Sequence, residues 1–170
     1  MRRISIYLLS IAIISAPLWG QEDTLRELQH AFQLNQQGQF AQVIEDLKPL
    51  TATASMTTPE LGQTWLLLAI AYHQEGRYQE AENAFERSLN LLRNNPEFYE
   101  QYAAALSAYA TLYRDKGDMD AAWKMRMKAL RMYEGTNDQA GVADACTSLA
   151  ELAITQKHTS KGTGVSEVRD

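Results

Sequence analysis

The stretch Trp65-Leu-Leu-Leu68-Ala69-Ile-Ala-Tyr72-His-Gln-Glu-Gly76-Arg-Tyr78-Gln-Glu-Ala81-Glu-Asn-Ala-Phe85-Glu-Arg-Ser88-Leu89 decides the fold. It reads as two helices joined at a turn. Trp65, Leu68, Ala69 and Tyr72 fall on one face at helical spacing. Gly76 follows, a residue suited to a left-handed C-terminal cap. Ala81, Phe85, Ser88 and Leu89 then carry the same spacing through a second helix. Ala69 and Ala81 let two backbones approach closely, and Tyr72 and Phe85 fill the remaining space.

The same small-residue rhythm recurs along the chain. Ala31, Ala69, Ala110 and Ala150 stand in similar contexts, 38, 41 and 40 residues apart. Gly38, Gly76 and Gly117 each follow their alanine by seven residues. A period near 40 signals stacked supersecondary units, each too small to bury its apolar face alone.

These residues resemble the tetratricopeptide repeat (TPR), whose pattern has a Trp, a Leu-Gly or Leu-Ala pair, a Tyr, and a later Ala and aromatic. The second copy carries the pattern most fully. The third follows it through Leu106, Tyr109, Ala110, Tyr113, Gly117, Met119, Ala122, Ala129 and Leu130. It departs at Arg126, where the second-helix aromatic of the family would fall. The first copy is degenerate: Ala31, Leu34, Gly38, Phe40, Val43, Leu47 and Leu50. Val43 stands for a small residue, which predicts looser packing, and Pro49 predicts an early end to that helix. A fourth first-helix begins with Cys146, Leu149, Ala150 and Ala153 and has no partner. It is similar to the solvating helix that caps TPR arrays.

The resemblance implies an all-α fold, an α-solenoid of antiparallel helix pairs with a C-terminal capping helix. The expected limits are residues 22–157 for the TPR domain. Repeats fall at about 24–50, 62–94 and 97–134, with the cap at 139–157 and a disordered tail at 158–170. Local signals agree. Thr57-Thr58-Pro59-Glu60 is a helix start with a capping threonine, an early proline and an early acid. Asn94-Asn95-Pro96-Glu97 repeats that chemistry. Gly135-Thr-Asn-Asp138 separates the third pair from the last helix, and Thr51–Thr58 reads as a loop.

Arg2-Arg3 followed by the apolar run Ile4 to Ala16 and polar Gln21-Glu22-Asp23 reads as a secretory signal peptide, with cleavage expected after Gly20. The run is short for the ~20 residues of a membrane span. An uncleaved N-terminal anchor is the alternative. The expected location is therefore exported, periplasmic or secreted, in a bacterium. Lys and Arg number 16 against 21 acids, a net charge of −5; without Arg2 and Arg3 it is −7. That balance argues against nucleic-acid binding, which wants a positive field. The single Cys146 cannot form an internal disulfide. Its spacing to Leu149 and Ala150 predicts a core position, with pairing between chains or metal binding as alternatives.

Enzyme chemistry finds no constellation. His30, His73 and His158 are scattered, with no HExxH. No serine sits in a nucleophile elbow, and Cys146 has no base nearby in sequence. Gly162-Thr163-Gly164 lacks the preceding strand a phosphate loop requires. No catalytic, cofactor or metal residue is assigned. The segment Met119 to Tyr133 is basic and Met-rich. Lys124, Lys128 and Arg131 share one face, either a docking stripe for an acidic partner or a solvated back to a core face of Ala122, Met125, Ala129 and Met132.

In TPR proteins the first helices of each pair line a concave groove, so the resemblance implies partner-binding positions. They are Leu28, Phe32 and Asn35 in the first repeat, and Gln63, Leu66, Leu67, Ile70 and His73 in the second. The third offers Ser107, Ala108, Thr111 and Arg114, and the cap Thr147, Glu151 and Ile154. Such a surface suits an extended peptide or an amphipathic helix. The alternative is that Leu66, Leu67 and Ile70 are covered by a neighbouring helix. The family's carboxylate clamp is excluded: Leu28 and Phe32 stand where it needs Lys and Asn, and Ala104 and Ala108 replace its basic residues. The expected function is a protein–protein interaction module, an adaptor or assembly factor of the cell envelope. A self-associating structural repeat protein, or a scaffold anchored at its N-terminus, is the alternative.

Overall fold

Three glycines and one asparagine punctuate the chain into helices. In a computed structural model that describes residues 23–52, 56–94 and 96–163, Gly38, Gly76 and Gly117 adopt φ of +74, +72 and +85°, and Asn137 adopts +58°. Each is the left-handed residue that ends a helix, where a Cβ is penalised and Gly or Asn is favoured. The hydrogen bonds repeat with them. The N–H one residue past each cap returns to a carbonyl five residues earlier: Gln39 to Leu34, Arg77 to Tyr72, Asp118 to Tyr113 and Asp138 to Tyr133, at 2.8–3.0 Å. The sequence places the fourth turn around Gly135. It is Asn137 that takes the strained conformation, and Gly135 stays inside the helix.

Seven α-helices follow among the described residues: α1 over 23–36, α2 Phe40–Leu50, α3 Thr58–Gln74, α4 Tyr78–Leu92, α5 Tyr99–Asp115, α6 Met119–Thr136 and α7 Gln139–Thr163. No strand occurs among these residues. The all-α expectation holds. Pro49 sits in the last turn of α2, which ends at Leu50 after only 11 residues. The Thr57 N–H donates to Glu60 Oε2 at 2.7 Å, closing the start of α3 around Pro59. A single 3-10 turn, Pro96–Phe98, precedes α5. The signal-peptide reading of residues 1–20 lies outside the described residues. No described helix is long and apolar enough to cross a membrane.

The chain divides into two units, Met1–Leu91 and Leu92–Asp170. In the first, α1 and α2 bury Leu28, Ala31, Leu34, Val43, Ile44 and Leu47, and α3 and α4 bury Leu68, Ala69, Tyr72, Ala81, Ala84 and Phe85. Val43 is fully buried between these helices' other apolar side chains. Small residues set the α3–α4 distance. Gly62 and Ser88 are both buried, and Ser88 Oγ donates to the Gly62 carbonyl at 2.8 Å.

In the second unit, α5 buries Ala103, Leu106, Tyr109 and Ala110, and α6 buries Ala122, Ala129 and Tyr133. Here α7 corrects the sequence reading. Cys146, expected in the core, is exposed, and so are Ala150 and Ala153. The buried stripe is instead Gly141, Ala145, Leu149 and Leu152. Gly141 explains the rotation. A Cβ there would lie 2.3 Å from Cδ1 of Tyr133, so the bare backbone of α7 rests on that ring. The next buried positions follow at helical spacing from Gly141. Helical backbone continues to Thr163, six residues past the expected end of the cap at 157, which corrects a disordered stretch starting at 158. Residues 164–170 lie outside the described residues.

Candidate functional site

In the first unit the candidate surface is the stripe Gln63, Leu66, Leu67 and Ile70 on α3, together with α1. All four α3 residues are half-buried. They are not sealed by the neighbouring helix, and they form an apolar ledge with no charged side chain. Asn35 of α1 ties the two helices together, its Nδ2 donating to the Leu67 carbonyl at 3.3 Å. Its Oδ1 is buried without a partner, an acceptor left over beside the ledge. Phe32, one turn earlier on α1, is 54% exposed.

Two expected groove residues face inward instead. Leu28 is buried with Ala31 and Leu34, because the α1 stripe at spacing 28, 31, 34 packs onto its own unit. His73 is buried near the end of α3, its ring 6.0 Å from that of Tyr78. A partner reaches neither without displacing core.

In the second unit Ser107, Thr111 and Arg114 line one face of α5, and the structure brings them to α6. Ser107 Oγ and the Tyr133 hydroxyl lie 3.3 Å apart. Thr111 Oγ1 accepts from Arg126 Nη2 at 3.4 Å. Arg114 is exposed and paired with Asp115 at 3.0 Å. Arg126, noted in the sequence only as a missing aromatic, is the centre of this side. Its side chain is 7% exposed, and Nη1 donates to Asp144 Oδ2 on α7 at 3.0 Å. Burial pushes the Arg126 guanidinium below its ordinary range, partly offset by Asp144, while Arg114 adds a like charge. Burial likewise raises the Tyr133 phenol, opposed by its bond to Ser107.

Ala110, Thr111, Arg114, Arg126, Ser148 and Leu152 surround a small open cleft with room for about one water. Thr147, Glu151 and Ile154, expected as the groove face of the capping helix, are exposed, but Ser148 and Leu152 reach the cleft. The difference is the same one-residue rotation of α7. The sequence signal for Arg126 was a charged residue between Ala122 and Ala129 on a face of small residues. Lys124, Lys128 and Arg131 are exposed on α6, and Trp123 beside them is 37% exposed. Among the described residues no cluster of His, Cys, Asp and Glu could hold a metal ion.

Comparison with known proteins agrees with this architecture. Residues 60–135 match the tetratricopeptide repeat family. No curated protein sequence matches the chain. Among solved structures, the crystal structure of BtubC (BKLC) from P. vanneervenii is similar in fold, with a TM-score of 0.53 at 20% identity. That match covers 83% of this chain and 53% of BtubC, so the chain spans about half the length of its structural neighbour.

Proposed function

We infer that this chain, which carries tetratricopeptide repeats over residues 60–135, is an adaptor or assembly factor that holds an extended peptide or helix of a partner protein. Tetratricopeptide repeats generally mediate protein–protein interaction, and that coarse role follows from the family. The finer reading rests on the α3 ledge. Leu66, Leu67 and Ile70 keep apolar surface half open to solvent, with the Asn35 carbonyl oxygen unpaired beside them. Apolar anchors flanked by a few polar groups are how such grooves take peptides. An exported location is supported by Arg2-Arg3 and the apolar run from Ile4 to Ala16. The site is read as a binding surface without catalysis or cofactor.

Affinity capture from native envelope extract tests this, with the chain from Gln21 beside a Leu66→Glu/Ile70→Glu double variant. A specific protein held by the first and lost by the second, with helicity unchanged, is the expected result. Equal recovery by both removes the ledge from the account.

One observation favours a second reading, self-association. Leu25 and Phe32, seven residues apart on one face of α1, are 49% and 54% exposed. Light scattering on a Leu25→Glu/Phe32→Glu variant separates the two readings. A change from oligomer to monomer supports association between copies.

A further inference from the structure

We propose that the outer face of α6 docks on an anionic lipid surface, where Lys124, Lys128 and Arg131 meet headgroup phosphates and Trp123 lies among the headgroups. This goes beyond the reading of the chain as a peptide binder. It draws on the exported location proposed above only for bringing a bilayer within reach.

The cations are available for such a role. Helical spacing puts Lys124, Lys128 and Arg131 on one side of α6, over about 10 Å at ~1.5 Å per residue. All three are exposed. None has an ion pair among the described residues. The opposite side, with Ala122, Ala129 and Tyr133, is buried in its own unit. The acids near this face stand at its ends. Asp118 caps the helix by accepting from the Ala121 N–H at 2.9 Å. Asp120 accepts from Gln156 Nε2 of α7 at 3.3 Å, and Glu134 lies in the last turn. The chain as a whole has a net charge of −5. Screening over about 8–10 Å separates the basic face from the distant acids, so the local charge decides what it attracts.

The composition of the face selects lipid over protein. Trp123 is 37% exposed beside Lys124, and half-buried Met127 lies between the indole and the cations. Indoles favour the boundary between headgroups and acyl chains. Lysine and arginine lay their aliphatic stems along apolar surface and keep the charge among the headgroups. Two of the three cations are lysines. Lysine is depleted in protein–protein interfaces, whereas a phosphate takes its ammonium as a point charge without fixed geometry. No described helix is long and apolar enough to cross a membrane, so α6 lies on the surface. Each cation near an anionic surface strengthens binding about fivefold. Three fall short of the larger basic clusters that hold a protein firmly, so the association is reversible and salt-sensitive.

The test is co-sedimentation of the chain from Gln21, which holds every described residue, with lipid vesicles. One set contains phosphatidylglycerol and phosphatidylcholine in equal parts, the other phosphatidylcholine alone. Two variants carry the same change in net charge. Lys124→Gln/Lys128→Gln/Arg131→Gln neutralises the face. Arg26→Gln/Lys48→Gln/Arg93→Gln neutralises cations elsewhere. All six positions are exposed, so the fold is retained. The expected result is binding of wild type to the mixed vesicles and not to phosphatidylcholine, fading as salt rises. The face variant should bind at least about tenfold more weakly, and the second variant like wild type. Indole emission should shift to the blue on the mixed vesicles, and Trp123→Phe should lose that shift. Equal binding to both kinds of vesicle overturns the proposal, as does an unchanged face variant or an equal loss in both variants. Saturable binding of soluble poly-glutamate, lost in the face variant and unaccompanied by vesicle binding, also overturns it and assigns the face to an acidic protein. No peptide enters the vesicle assay, so the ledge on α3 and this face can fail independently.

Discussion

Arg126 of α6 and Asp144 of α7 form an ion pair of unequal burial: Nη1 and Oδ2 lie 3.0 Å apart, with the arginine side chain 7% exposed and the aspartate 67%. The asymmetry decides what each substitution does. Removing Asp144 leaves a desolvated charge without its only acidic hydrogen-bond partner among the described residues. Removing Arg126 leaves a carboxylate that water already solvates. Asp144→Ala should cost about 1–2 kcal/mol, below the roughly 3–5 kcal/mol of a fully buried pair because solvent reaches the aspartate. Arg126→Met should cost less than Asp144→Ala, or stabilise. Urea denaturation of both variants checks the order.

Gly141 and Gly135 should respond oppositely to alanine. A Cβ at Gly141 would meet three ring carbons of Tyr133 at 2.3–2.6 Å, and that ring is itself buried. Either α7 or the ring must move, at a cost of about 1–3 kcal/mol. At Gly135 a Cβ meets nothing within 4 Å and the residue is helical. Gly135→Ala should gain roughly 0.4–1 kcal/mol, chiefly by restricting the unfolded chain. Thermal melts of the two variants, run together, should move in opposite directions.

The α3–α4 contact depends on Ser88. Its buried hydroxyl donates to the Gly62 carbonyl at 2.8 Å. Ser88→Ala should cost about 1 kcal/mol, the net worth of one such bond. Phe85→Ala, on the same face and fully buried, should cost about 3–5 kcal/mol. The ratio tells packing from hydrogen bonding in this pair of helices.

Tyr133 links stability to alkaline pH. Burial disfavours its phenolate and raises its pKa above the ordinary 10.0. A phenol raised in the folded state contributes stability that is fully present below the unfolded value of about 10 and is lost as pH climbs through the folded value. The tyrosinate absorbance of the native chain minus that of Tyr133→Phe should therefore titrate above 10.0. Unfolding by urea should become easier over the same interval. A difference spectrum centred at or below 10.0 would mean that the phenol is solvated.

The helix pairs were legible because their causes are local. Alanine at the contact and glycine at the turn recur in sequence, and three of the four left-handed caps fall on those glycines. The rotation of α7 was not legible. Cys146, Leu149, Ala150 and Ala153 make as good an apolar stripe as Gly141, Ala145, Leu149 and Leu152. The choice between them is made by the ring of Tyr133, eight residues before Gly141 and on another helix. The α3 ledge was readable from the family pattern. Leu28 and His73 were not separable from it, because one helix turn carries both core and groove positions. Arg126 was visible only as a departure. Its role required the third helix, whose Asp144, Ser148 and Leu152 reach the same place.

The central claim is that the α3 ledge is the peptide-binding surface, and a random peptide library tests it whatever the natural partner. Peptides are selected on the chain from Gln21, and the survivors are titrated against wild type, Leu66→Glu/Ile70→Glu and Lys124→Glu/Lys128→Glu. The account predicts saturable binding to wild type, at least about tenfold weaker binding to the ledge variant, and little change in the lysine variant. Selected peptides that bind the ledge variant as tightly as wild type would contradict it.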